Sequence, residues 1–137
     1  MTIDARGPRF GAAITTVVLA AVLITQSGWL LFAQTLIFAI GALMGLRFAP
    51  YGLVYRYLVR PRLGSPSKTE AEAPPRFAQA VGMVIAGIGT ILFAFGAPVA
   101  GLVFAALALV AAFLNAVFDY CLGCQMYLFI RRIRPAA

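Results

Sequence analysis

Two long stretches of this chain, residues 10–46 and 77–118, contain no charged side chain. Each is about twice the ~20 residues a helix needs to cross a ~30 Å hydrocarbon core. Each therefore holds two crossings and a tight turn. In the first stretch Gln26-Ser27-Gly28 interrupts the apolar run before Trp29, and in the second Gly96-Ala97-Pro98 does the same. The pattern predicts four spans, at about 10–25, 29–46, 77–95 and 98–118, with the first running slightly past its charged flank. Helices apolar on every face cannot be hidden inside a soluble bundle of this size. The first segment has the basic flank and apolar core of a secretory signal. No small-x-small cleavage site precedes Gly28, however, and a second span follows at once, so the segment is kept as mature chain.

The cations fix an orientation. Arg6 and Arg9 precede the first stretch; Arg47, Arg56, Arg60, Arg62, Lys68 and Arg76 lie between the two; Arg131, Arg132 and Arg134 follow the second. With four spans these three regions share one side of the membrane, and the two turns opposite carry no charge. Short loops rich in Lys and Arg stay in the cytoplasm. Both termini and the central loop are thus expected on the cytoplasmic face of the membrane.

Composition agrees. Of 137 residues, 63% are hydrophobic and 11% charged, against about 45–50% and ~25% in soluble domains. Disorder is excluded on the same ground. The absence of histidine excludes histidine-based acid–base chemistry and metal ligation. The net charge of +7 is accounted for by an arginine rim beside anionic headgroups, and no nucleic-acid partner is expected. No charged residue lies at mid-membrane depth, so ion coupling has no visible machinery.

The chain reads as two copies of one unit. Pro8-Arg9-Phe10 opens the first stretch and Pro75-Arg76-Phe77 the second. Tyr57-Leu58-Val59-Arg60-Pro61-Arg62 follows the first pair of spans, and Tyr127-Leu128-Phe129-Ile130-Arg131-Arg132 follows the second. An even number of spans per copy makes the repeat parallel, about an axis near the membrane normal. The expected fold is an all-α membrane protein of two helical hairpins, residues 1–63 and 76–137, joined by a mobile polar linker over 64–75. Each hairpin is followed by a short interfacial segment, the first at about 50–62. Pro50 breaks the second helix. The tyrosines and snorkelling arginines beyond it suit a helix lying in the interface plane. Arg56, Arg60, Arg62, Arg131 and Arg132 are the candidate contacts to headgroups or a partner.

Cys121-Leu122-Gly123-Cys124 is the candidate for chemistry. The spacing suits reversible disulfide exchange, and a cytoplasmic position disfavours a permanent staple. Gln125 stands where haem attachment needs histidine. Two thiolates make half a closed zinc site, which dimerisation could complete. Packing of two small residues at a helix end is the plain alternative. The C-terminus of a helix and an ionised Asp119 would both disfavour a thiolate. A fresh helix starting near Cys121 would reverse the dipole term, so activity requires a helix break within 119–123. Asp119 could cap that helix or pair with an arginine of the other copy. Asn115 could hydrogen-bond between helices. In the repeat alignment Cys121 and Cys124 fall opposite Tyr51 and Val54, so the thiols occur in one copy only.

Pro8-Arg9-Phe10, Pro50-Tyr51-Gly52, the run from Leu58 to Leu63, Pro75-Arg76-Phe77-Ala78-Gln79-Ala80, Leu114-Asn115-Ala116-Val117 and Cys121 through Tyr127 resemble a bacterial membrane family catalogued as domain of unknown function 4395. The likeness covers nearly the whole chain, with Cys-Leu-Gly-Cys its most specific part; Asp119-Tyr120 falls outside the pattern. The resemblance implies a small integral membrane protein and, through thioredoxin-like and sulfurtransferase neighbours, a thiol or sulfur role. The expected function is thiol–disulfide or sulfane-sulfur exchange at Cys121 and Cys124 with a soluble thioredoxin-like or sulfurtransferase partner, needing no cofactor. The alternative is a non-enzymatic scaffold or transporter subunit that docks a partner on its arginines.

Overall fold

The computed structural model describes residues 2–4, 6–63, 69–71 and 73–133. Three helices are long and apolar enough to cross a membrane: α1 (Arg6–Thr25), α5 (Ala73–Ala94) and α6 (Pro98–Phe118). A fourth apolar helix, α2 (Gly28–Leu43), is shorter. Val17, Ile24, Val84, Val103 and Val110 are all more than half exposed. Outward-facing apolar surface on this scale defines a multi-pass membrane protein.

The helix limits differ from the sequence expectation for local reasons. α1 and α5 begin four residues early, at Arg6 and Ala73, because Pro8 and Pro75 sit in first turns, where no N–H is needed. α2 stops at Leu43 instead of continuing to 46. Gly45 follows at φ 110°, a conformation side chains avoid, and a 3₁₀ turn takes over at Leu46–Phe48. The sixteen residues of α2 rise about 24 Å. The expected turns are present. Gln26 (φ 55°) and Gly96 (φ 85°) reverse the chain, and the Ser27 hydroxyl accepts the Leu30 N–H at 3.1 Å to cap α2.

Packing runs mainly across the hairpins: α2 lies against α5, and α1 against α6. The core comprises Leu19, Val22, Leu31, Phe38, Ala86, Ala105 and Ala108. One arginine ties each crossed pair. Arg76 donates to the carbonyls of Ala42 (2.8 Å) and Leu43 (3.0 Å) at the end of α2. Arg9 donates to those of Ala116 (3.0 Å) and Val117 (3.5 Å) near the end of α6. The starts of α1 and α5 and the ends of α2 and α6 thus share one end of the bundle.

Beyond Pro50 the chain is not a simple in-plane helix. It runs through α3 (Pro50–Val54), a π-helical stretch (Tyr55–Val59) and α4 (Arg60–Leu63). Tyr55 is buried, and its ring meets Phe10 at 5.6 Å. This segment therefore packs on α1 as well as facing outward. The other tail is α7 (Leu122–Ile133), whose Tyr127 ring meets Phe77 at 5.7 Å. Within the expected linker, β2 (Thr69–Ala71) pairs antiparallel with β1 (Thr2–Asp4), Ile3 opposite Glu70. Residues 64–68 and 72 of the linker lie outside the described residues.

Candidate functional site

The thiol turn is built by a helix break. α6 ends at Phe118, and Asp119 takes the left-handed conformation (φ 55°, ψ 31°) as its C-cap. The Tyr120 N–H closes the turn on the Leu114 carbonyl at 3.2 Å. α7 then starts at Leu122, leaving Cys121 in the capping position. The Cys124 N–H donates to Cys121 Sγ at 3.0 Å, and the Gln125 N–H to the Cys121 carbonyl at 3.0 Å. Cys121 Sγ thus faces the positive end of a new helix, the arrangement that favours a thiolate. The two cysteines are disulfide-bonded, with their Cα atoms 5.1 Å apart. Both belong to one helical turn, so the bond links no two elements of the fold. Both are partly exposed.

Gly123 brings this turn onto α5. A Cβ at residue 123 would lie 2.5 Å from Cα and Cβ of Ala78, so only glycine permits this approach. Asp119 lies 3.8 Å from Arg9, through its Oδ1 and the arginine Nε. The partner is therefore an arginine of the first hairpin, and the C-cap position replaces the N-terminal cap that Asp119 could have supplied to α7.

The remaining candidate residues lie on the two tails. Arg56 stacks over the Tyr57 ring at 5.2 Å. Arg62 is exposed. Arg131 donates to the Tyr127 hydroxyl at 3.1 Å and lies over its ring at 5.9 Å. Arg132 edges an open groove along α7 with Tyr120, Leu122, Gln125, Met126 and Phe129. Arg60 starts α4, and its side chain lies outside the described residues. The structure brings the two cysteines together. Among the described residues no group of three or more His, Cys, Asp and Glu could hold a metal ion.

Tyr55 and Tyr127 each meet the phenylalanine of a Pro-Arg-Phe motif, Phe10 and Phe77 respectively.

One polar pair escaped sequence reasoning. Gln34 is fully buried in α2, and its Oε1 accepts the Tyr51 hydroxyl at 2.6 Å. Its Nε2 has no hydrogen-bond partner among the described residues. Burial pushes the Tyr51 phenol above its ordinary value of 10.0. Thr35 and Thr90 hydroxyls meet at 3.2 Å between α2 and α5. The inter-element amide is thus Gln34 and not Asn115, which makes no side-chain hydrogen bond among the described residues.

These features define a small helical membrane protein with a cysteine pair at one end of its bundle. The chain belongs to the family described as Domain of unknown function (DUF4395), whose model matches residues 3–132. No curated protein and no solved structure matches it.

Proposed function

We propose that the chain crosses the bacterial inner membrane four times as two parallel hairpins, with both termini and the linker cytoplasmic. We propose further that Cys121 and Cys124 exchange disulfides there with a soluble thioredoxin-like or sulfurtransferase partner. The observation that carries the chemistry is Cys121 Sγ accepting the Cys124 N–H at the start of α7. In the reducing direction the Cys121 thiolate attacks a partner disulfide, forming a mixed disulfide and expelling one partner thiolate. The Cys124 thiolate then attacks Cys121 Sγ, closing the intramolecular bond and releasing the second partner thiolate. Two thiols are oxidised and one disulfide is reduced, and the two protons released by the cysteines balance those taken up by the partner. A soluble dithiol protein running the sequence in reverse reduces the Cys121–Cys124 bond and is itself oxidised to a disulfide.

The parallel-repeat reading draws support from the paired roles of Arg9 and Arg76, each on the closing helix of the opposite hairpin. Phe10 with Tyr55, and Phe77 with Tyr127, support it again. A crossing by α2, about 24 Å long, lies within the mismatch a bilayer absorbs by local thinning.

Acid-quenched cells, alkylated and read by mass spectrometry, test the chemistry. The wild type is expected to show both dithiol and disulfide forms, and Cys124→Ser to accumulate a mixed disulfide on Cys121. A pair always reduced and free of adducts, or never reducible, overturns the proposal. A cysteine-free double serine variant with full function would favour a scaffold instead. Reporter fusions placing either end outside the cell would refute the orientation.

A further inference from the structure

The two guanidinium caps are alike in geometry, but the chain beyond each is different. Arg76 holds Ala42 and Leu43, and the chain then passes through Gly45 to Ala49, which begins α3 without a thiol. Arg9 holds Ala116 and Val117 with Nη2 and lies beside Asp119 with Nε. Three residues beyond the end of α6, Cys121 begins the thiol turn.

We propose that Arg9, more than a hundred residues away in sequence, is the positioning residue of the Cys121–Cys124 turn. It fixes the place where α6 stops and screens the one carboxylate beside the reacting sulfur. This proposal rests on the exchange reading above. Two effects that oppose a thiolate at Cys121 arise from its own neighbourhood: the negative end of α6 and the Asp119 carboxylate two residues away. One guanidinium meets both. The fork geometry matters, because two carbonyls and a carboxylate must be reached from a single side chain.

The other charges are placed differently. α6 carries none. The arginine of α5, Arg76, is bound to α2. On α1, Arg6 is engaged with a contact of its own. On α7, Arg131 lies about 15 Å along the helix from Cys121, with Arg132 one residue further.

The test uses the full chain in lipid nanodiscs and reads alkylation of Cys121 by iodoacetamide against pH, in a Cys124→Ser background so that one thiol reports. Arg9→Gln is expected to move the alkylation profile to higher pH and slow the reaction at pH 7 by about three- to tenfold. Arg76→Gln, which removes the matching cap elsewhere, is expected to leave the profile in place. Asp119→Asn added to Arg9→Gln is expected to recover part of the rate. Arg9→Lys, which keeps charge but loses the fork, is expected to fall between. An unchanged profile in Arg9→Gln overturns the proposal, as do equal effects of Arg9→Gln and Arg76→Gln, which would mark general loosening of the bundle. Circular dichroism confirms that each variant is folded. The readout is independent of any partner. If the wild-type disulfide is never reduced by a soluble dithiol protein, the exchange reading fails while the alkylation series still judges Arg9. If exchange proceeds and Arg9→Gln alkylates normally, only the positioning role fails.

Discussion

Gly123→Ala tests the seating of the thiol turn most directly. The added Cβ would meet Cα and Cβ of Ala78 at 2.5 Å. Non-bonded carbons settle near 3.5–4.0 Å, so the first turn of α7 must retreat from α5 by about 1–1.5 Å. Neither contacting atom is the end of a flexible side chain, so backbone has to move. Overpacking of this kind costs about 1–3 kcal/mol. Gly11→Ala, on α1 where it faces the other tail, is the control: its Cβ would lie 3.7 Å from Tyr51 Cβ, an ordinary contact. Loss of a helical glycine there is worth about 0.5–1 kcal/mol in the stabilising direction. The assay is limited trypsinolysis at Arg131 and Arg132 in nanodiscs, read by mass spectrometry, alongside thermal melting in detergent. Gly123→Ala is expected to release the C-terminal fragment faster and melt lower, whereas Gly11→Ala should match the wild type or exceed it. Adding Ala78→Gly should rescue only in part, since it removes one of the two obstructing atoms. A Gly123→Ala protein as resistant and as heat-stable as wild type would refute the close seating of α7 on α5.

Tyr51→Phe leaves Gln34 without its hydrogen bond inside the bundle and is expected to cost about 1–3 kcal/mol in thermal or denaturant unfolding. Adding Gln34→Leu, which removes the amide and its unpartnered Nε2, should bring stability back toward wild type. The pH dependence has a definite sign. The Tyr51 phenol titrates above its ordinary value when folded, so the unfolded chain loses that proton first. This contribution is fully present below about pH 10 and is lost as pH rises through the folded value. Melting curves from pH 8 to 11 should therefore fall more steeply for wild type than for Tyr51→Phe. Arg76→Gln removes two hydrogen bonds to the end of α2 and should lower stability by about 1 kcal/mol without altering thiol reactivity.

Much of the fold was legible because charge is so costly in a bilayer. Uncharged runs marked the helices, and Gln26-Ser27-Gly28 and Gly96-Ala97-Pro98 marked the reversals, where positive φ now appears at Gln26 and Gly96. The required break within 119–123 was legible from the chemistry of a thiolate and is present at Asp119. The end of α2 was not, because a glycine two residues beyond an apolar run reads equally as helix or cap until its φ of 110° is known. Gln34 was overlooked for a related reason. A lone amide in an apolar helix gives no sign of whether it faces neighbours or lipid, and its partner Tyr51 lies beyond a 3₁₀ turn whose path the sequence does not dictate.

The two tails share one fastening and differ in another: Tyr55 meets Phe10 as Tyr127 meets Phe77. The first is held by side chains that reach inward: Tyr51 to Gln34, and Tyr55 against Phe10. In its first turn a Cβ at Gly52 would come within 2.8 Å of the Leu46 carbonyl oxygen. Among the described residues the second tail makes no inward side-chain hydrogen bond of that kind. It lies backbone to backbone on α5 through Gly123 and Ala78, and its first turn is partly open to the outside. Cys121 and Cys124, bonded to each other, lie on either side of this backbone contact, and Arg9 holds the end of the helix before them.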